Sequence, residues 1–189
     1  MITTLERAKK MLGLPDGDLT LDYQLETQLI VAAELIEEHC RRKFKRQVHQ
    51  ELCDMFRGNY LLLRNYPIHG IEEVITYNGN VINDYTIAEN GMLFRRGGWP
   101  QGERSISVIY EAGYTLHCDE TPEQKADIPR PLEMACAMYA QKLMDSTHVP
   151  LGIKTEKLGE MWVTYDQDHL KHNIPPVVAS LVSPYKRWR

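Results

Sequence analysis

The hydrophobic period of this chain changes twice, and nothing else in the sequence limits the fold as much. From Thr20 to about Lys43, Leu25, Leu29, Ala32, Ala33, Ile36 and Cys40 recur every three or four positions. That spacing predicts one long amphipathic helix. From Gln47 to Tyr114 the period drops to two, in the runs VHQELCDMF, YLLLR, EEVITY, YTI, MLFRR and SISVIY. Asn78-Gly79, Asn90-Gly91 and Gly97-Gly98 fall between runs, and such pairs favour tight turns. Helical spacing returns in PLEMACAMYAQKLM, which Pro129 and Pro131 introduce. Leu132, Ala135, Met138 or Tyr139, and Leu143 form its expected buried face.

Neither helical stripe is covered by neighbouring sequence. Burying one Leu or Ile gains roughly 1.5–3 kcal/mol, so two such stripes are driven together across the β insertion. The expected class is therefore α+β: a small helical bundle with an inserted antiparallel β-meander or hairpin region and an extended C-terminal segment. Residues 1–189 read as a single domain, with N-terminal helices over 1–46 and the β region over 47–114. A helix follows over 129–147, then a loop, strand and tail over 148–189. TTLERAKKMLG predicts a short first helix, capped by Thr3 or Thr4 and closed by Gly13. Asp16-Gly17 predicts a turn, and PPVVASLV a short last helix. The stretch from Asp145 to Asn173 lacks a helical stripe, apart from a strand expected in EMWVTY. Connections that long are usually functional or mobile.

Composition removes several functional classes. The net charge of -4 argues against a uniformly basic nucleic-acid coat. A membrane span needs about 18 apolar residues, and the best run, LIVAAELI, is interrupted by Glu34. No apolar core follows a basic start at the N-terminus, so a secretory leader is not expected and a reducing cytoplasm is. The four cysteines are widely spaced and include no C-x-x-C pair, so disulfides are not expected. Cys40 and Cys136 lie on the helical stripes and are expected to be buried as small hydrophobes.

Chemistry-bearing patterns are weak. His49 and Cys53 would share a strand face about 13 Å apart, too far to chelate one ion. His169 and His172 lack a second pair, whereas structural zinc wants four N/S ligands. There is no G-x-S-x-G elbow, and Glu37-Glu38 and Glu72-Glu73 are adjacent pairs whose side chains diverge. RRGGWPQGER lacks the helix and lysine of a phosphate loop and reads as a wide hairpin turn. No catalytic residue, metal or cofactor is expected. Two basic clusters remain. RRKFKR places Arg41, Arg42, Lys43, Lys45 and Arg46 around Phe44 as DNA or interface contacts. The tail YKRWR carries Tyr185, Arg187, Trp188 and Arg189, residue types common at interface hot spots.

Seven pieces in order carry a family resemblance. They are MITTLERAKKMLGL, LETQLIVAAELIEEHCRRKF, LLLRNYPIHGIEEVI, GMLFRRGGWPQGERSISVIYEAGY, IPRPLEMACAMYAQKLM, GIKTEKLGEMWVTY and IPPVVASLVSPYKRWR. Together they resemble the head–tail connector, or head-completion adaptor, proteins of tailed bacteriophages. Arg41 stands where the resemblance implies a small residue, often glycine. The polar loop over 115–128 is longer than the resemblance implies.

The resemblance implies a non-enzymatic virion protein of the neck, assembled in the host cytoplasm. It implies a homo-oligomeric ring, about twelve-fold, under the portal protein, receiving a stopper or tail-completion protein. DNA would pass through the lumen with non-specific contact, and no membrane is involved. On this reading Lys154, Lys157, Trp162 and Tyr165, with Tyr185, Arg187, Trp188 and Arg189, are expected at the portal or oligomer interface. The helical bundle is expected to pack side by side in the ring. The competing reading is a nucleic-acid-binding module that uses the basic 41–46 cluster.

Overall fold

The computed structural model describes residues 1–15, 18–147, 155–158, 161–164 and 174–187, for 146–147, 155–158 and 161–164 only as backbone. The Asp16-Gly17 turn lies outside the described residues. The chain forms two compact units, Met1–Cys40 with Pro129–Lys186, and Arg41–Ile128 with Arg187–Arg189.

The first unit is helical: α1 (Leu5–Leu12), α2 (Leu19–Cys40), α3 (Arg130–Thr147) and α4 (Pro176–Val182). Thr4 precedes α1 in extended conformation but makes no side-chain cap bond. Gly13 ends α1 at φ 66, and the Leu14 N–H returns to the Lys9 carbonyl at 3.0 Å. That left-handed ending suits glycine, which has no Cβ to clash. Asp18 caps α2, its Oδ1 accepting from the N–H groups of Thr20 and Leu21. The helix stops at Cys40, short of the expected Lys43, because Arg41 turns left-handed at φ 57.

The expected stripes meet. Leu25, Leu29, Ala32, Ala33, Ile36 and Cys40 are buried on α2, and α3 packs on α2, α4 and α1. The facing surface of α3 is rich in small residues, Ala135, Cys136, Ala137 and Ala140, which let helices approach closely. Tyr139 rather than Met138 is buried, and Leu143 is half-buried. Burial pushes the Cys136 thiol up to about 12. This unit also contains an antiparallel hairpin, β7 (Thr155–Leu158) with β8 (Met161–Thr164). The sequence indicated the second of these strands only.

The second unit holds six strands: β1 (Gln47–Met55), β2 (Tyr60–Leu62), β3 (Ile68–Thr76), β4 (Thr86–Ala88), β5 (Met92–Phe94) and β6 (Gly102–Ala112). They form two three-stranded antiparallel sheets, ordered β1-β6-β3 and β2-β5-β4. The α+β class with an inserted antiparallel region is as expected, but the pairing is less local than a meander. The last strand, β6, lies between the first and third. The inward face of β6, Ile106, Val108, Tyr110 and Ala112, is fully buried. It packs in one cluster with Leu61, Leu63, Leu93 and Trp99 from the second sheet's strands and connections.

The stretch RRGGWPQGER departs from expectation. It is not a hairpin turn, since β5 and β6 belong to different sheets. Residues 95–101 carry the chain from one sheet to the other along the Gly58-Asn59 turn. The Arg95 N–H and the Trp99 indole N–H both donate to the Asn59 carbonyl, at 2.8 and 3.0 Å. Trp99 is thereby buried with its one polar atom satisfied.

Candidate interaction surfaces

Two features that look separate in sequence meet in the β unit. The basic cluster after α2 runs beside the YEAGY end of β6. The Tyr114 N–H donates to the Phe44 carbonyl at 2.6 Å, and the Arg46 N–H to the Tyr114 carbonyl at 2.8 Å. Gly113 makes this approach possible. At φ 114, an added Cβ would lie 2.6 Å from the Lys45 carbonyl oxygen and 2.8 Å from that of Phe44. Both obstacles are backbone, so no side-chain rearrangement would relieve them.

The seam uses most of the cluster's charge internally. Arg42 is buried, its guanidinium stacked 3.5 Å from the Tyr66 ring centroid and donating to the Tyr66 carbonyl. Arg46 grips Glu111 through two hydrogen bonds of 2.8 and 3.0 Å, which hold that carboxyl below its ordinary pKa. Lys45 pairs with Asp119 at 2.8 Å, which raises the lysine's pKa. The Lys43 backbone N–H is held by Asn65 Oδ1 at 2.7 Å. Arg41 and the Lys43 side chain are exposed. The long polar loop belongs to the same seam, with Asp127 Oδ1 accepting from the Thr115 N–H at 2.6 Å.

Beneath the seam is a buried polar network that the sequence did not indicate. The Tyr110 hydroxyl donates to Glu51 Oε2 at 2.8 Å and accepts from the Asn65 N–H at 3.2 Å. Burial, with Glu51 adding to it, pushes the Tyr110 pKa up, so the hydroxyl keeps its proton. The tail reaches the same neighbourhood. Arg187 donates to the Asn90 carbonyl at 3.3 Å and lies 6.0 Å from the Tyr66 ring centroid. Its Nη2 is buried without a hydrogen-bond partner among the described residues, and burial lowers its pKa. Tyr185 is half-buried at the end of a 3₁₀ turn.

Lys154, Tyr165, Trp188 and Arg189 lie outside the described residues, as do His169 and His172. Lys157 and Trp162 are register partners in the β7–β8 hairpin, described as backbone only. His49 and Cys53 do share the inner face of β1, with Cys53 buried and its thiol pushed up to about 12. Among the described residues, no group of three or more His, Cys, Asp or Glu could hold a metal ion.

Large apolar side chains are exposed on both units, among them Leu19 and Tyr23 on α2, and Phe56 and Tyr77 in the β unit. No curated protein matches the chain. Solved structures do. One is the neck of an empty gene transfer agent (GTA) particle computed with C6 symmetry. Its TM-score is 0.57 at 13% identity, covering 100% of this chain and 91% of that chain. Another is the neck of a native GTA particle computed with C12 symmetry. There the TM-score is 0.52 at 12% identity, covering 87% of this chain and 82% of that chain. At such identity the likeness speaks to fold alone. The family model for head completion proteins matches residues 1–188, and the chain belongs to that family.

Proposed function

We propose that this chain is a structural component of the neck of a tailed phage or phage-like particle. Copies of it form a ring, about twelve-fold, beneath the portal protein. The ring connects the head to a stopper or tail-completion protein and leaves a lumen for DNA. The observation that carries this reading is the family match over residues 1–188. The fold shared with neck proteins in C6 and C12 reconstructions supports it.

Within this reading, the segment 148–168 and the tail 183–189 make the portal contacts. Arg187 donates to the Asn90 carbonyl and lies near the Tyr66 ring, and Trp188 and Arg189 are assigned to the portal contact. The nucleic-acid alternative is less favoured by the seam. Arg42 is buried and Lys45 and Arg46 are ion-paired, so few cations remain to release counterions from DNA.

The test is to mix the purified chain with portal rings of its own particle and image them by negative stain. A ring of added density on one face of the portal is expected. Bare portals at saturating protein would overturn the reading. Deleting 183–189 is expected to leave a folded chain that no longer binds. Tight binding to duplex DNA that collapses with added salt would instead favour the alternative.

A further inference from the structure

The helical unit carries two unlike surfaces that complement each other. The first is the outer side of α2, away from its buried stripe. Leu19, Tyr23, Ile30 and Val31 are exposed there at 83%, 75%, 48% and 38%. Leu19, Tyr23 and Ile30 follow one another at four and seven residues, so they form one stripe. A solvated helix face does not normally carry such residues in line. Glu26 and Glu34 flank the stripe, both exposed, with no ion-pair partner among the described residues.

The second surface is a groove of about 470 Å³ between α1 and the first turns of α3. Met11, Pro131 and Met134 supply its apolar lining. Arg7, Lys10, Arg130 and Glu133 supply its charge. Arg7 holds the buried Glu133 carboxylate through two 2.8 Å bonds. Lys10 and Arg130 are exposed and have no ion-pair partner among the described residues, so the groove is net cationic. Methionines adapt their shape to what they meet, which suits a groove that must take a helix.

We propose that the acid-flanked stripe of α2 on one copy seats in the cation-lined α1–α3 groove of a second copy. The contact is heterologous: each copy offers a stripe to one neighbour and a groove to the other. Such a contact, repeated with a closing rotation, builds a ring. Tyr23 and Ile30 are its apolar anchors, and Glu26 and Glu34 face Lys10 and Arg130. The inference rests on the ring reading above and assigns the surfaces that make the ring. The second copy is favoured over a small acidic ligand because apolar stripe and apolar lining both need cover, which one protein–protein contact provides.

The experiment places a benzophenone amino acid at Ile30 of the full chain, assembled on portal rings from mixed ¹⁴N- and ¹⁵N-labelled protein. Mixed-isotope crosslinks to Met11 or Met134 are expected. Crosslinks from α2 to α2 would show a two-fold contact instead and overturn the proposal, as would rings that form without any crosslink to Met11 or Met134. In parallel, K10E/R130E and E26K/E34K are each expected to cut portal-bound rings by about tenfold or more. Mixing the two variants is expected to restore alternating assembly, because each supplies the charge the other now needs. Melting temperatures near wild type would show that the variants fold. Rings that form normally from either variant sink the contact and leave the neck reading intact. Wild-type protein that never rings on the portal sinks both.

Discussion

The helical unit and the β unit handle charge and backbone in different ways. In the helical unit a charged side chain is taken to the centre. Glu133 is fully buried, held by Arg7 and by the Thr3 hydroxyl at 3.3 Å. In the β unit the buried Arg42 is held by the Tyr66 ring and carbonyl, and ion pairs such as Arg46–Glu111 and Lys45–Asp119 stay near the surface. The β unit's vulnerable point is a main-chain contact at Gly113, where no side chain fits. Among the described residues the helical unit has no matching clash, since an added Cβ on its described glycine, Gly13, meets nothing within 4 Å. The integrity of one unit thus hinges on pairing a buried charge. The other hinges on the absence of a side chain.

The strongest way to break this comparison is Gly113→Ala. The Cβ would strike two carbonyl oxygens while the backbone holds a positive φ. A loss of about 4 kcal/mol or more is expected in urea denaturation, in the range reserved for severe backbone or core faults. Near-native stability would show that the seam yields. Next comes Arg7→Met, which strands Glu133 in the helical core and is expected to cost about 3 kcal/mol. The double variant R7M/E133L is expected to recover most of that loss, because neither charge remains. If the double variant is as unstable as the single, the pair is not the cause.

Arg41→Gly tests the junction after α2. A non-glycine residue in the left-handed region costs about 1 kcal/mol, so a gain of that order is expected in thermal melts. A loss would mean the arginine side chain contributes something the geometry does not reveal. The smallest effect belongs to Arg46→Ala, at about 0.5 kcal/mol, since the pair it breaks is partly exposed. Its pH dependence has a definite sign. Arg46 holds the Glu111 carboxyl below its ordinary pKa. The stabilisation is therefore complete above the ordinary carboxylate range and fades as pH falls through the depressed value. Wild type and R46A are expected to differ at neutral pH and to converge in acid.

The sequence made some of these residues legible and hid others for definite reasons. The stripes on α2 and α3 could be read because helical burial repeats every three to four residues. The inward face of β6 could be read because strands alternate. Nothing local says that residues 44–45 pass within contact of Gly113. Arg42 counted as one cation in a basic run, although its neighbours in space, Tyr66 and Tyr114, lie on other segments. Glu133 could not be singled out among the acids, because its partner Arg7 is 126 positions away. Arg41 is the informative middle case. The family resemblance implies a small residue there, and the left-handed backbone at φ 57 supplies the reason.

Sequence alone determined the class of the fold, the order of its helices around the inserted β region and which faces of α2 and α3 are buried. These follow from periods and turn residues, which act over a few positions. It also carried the family, through an ordered series of individually weak pieces. Only the tertiary structure decided that β6 sits between β1 and β3, that RRGGWPQGER crosses between sheets, and that RRKFKR and YEAGY form one seam. It alone showed the α2 stripe and the α1–α3 groove as two exposed faces of one unit. Strand partners, ion pairs and close backbone approaches join positions far apart in the chain. Their energies depend on distances that no local pattern encodes.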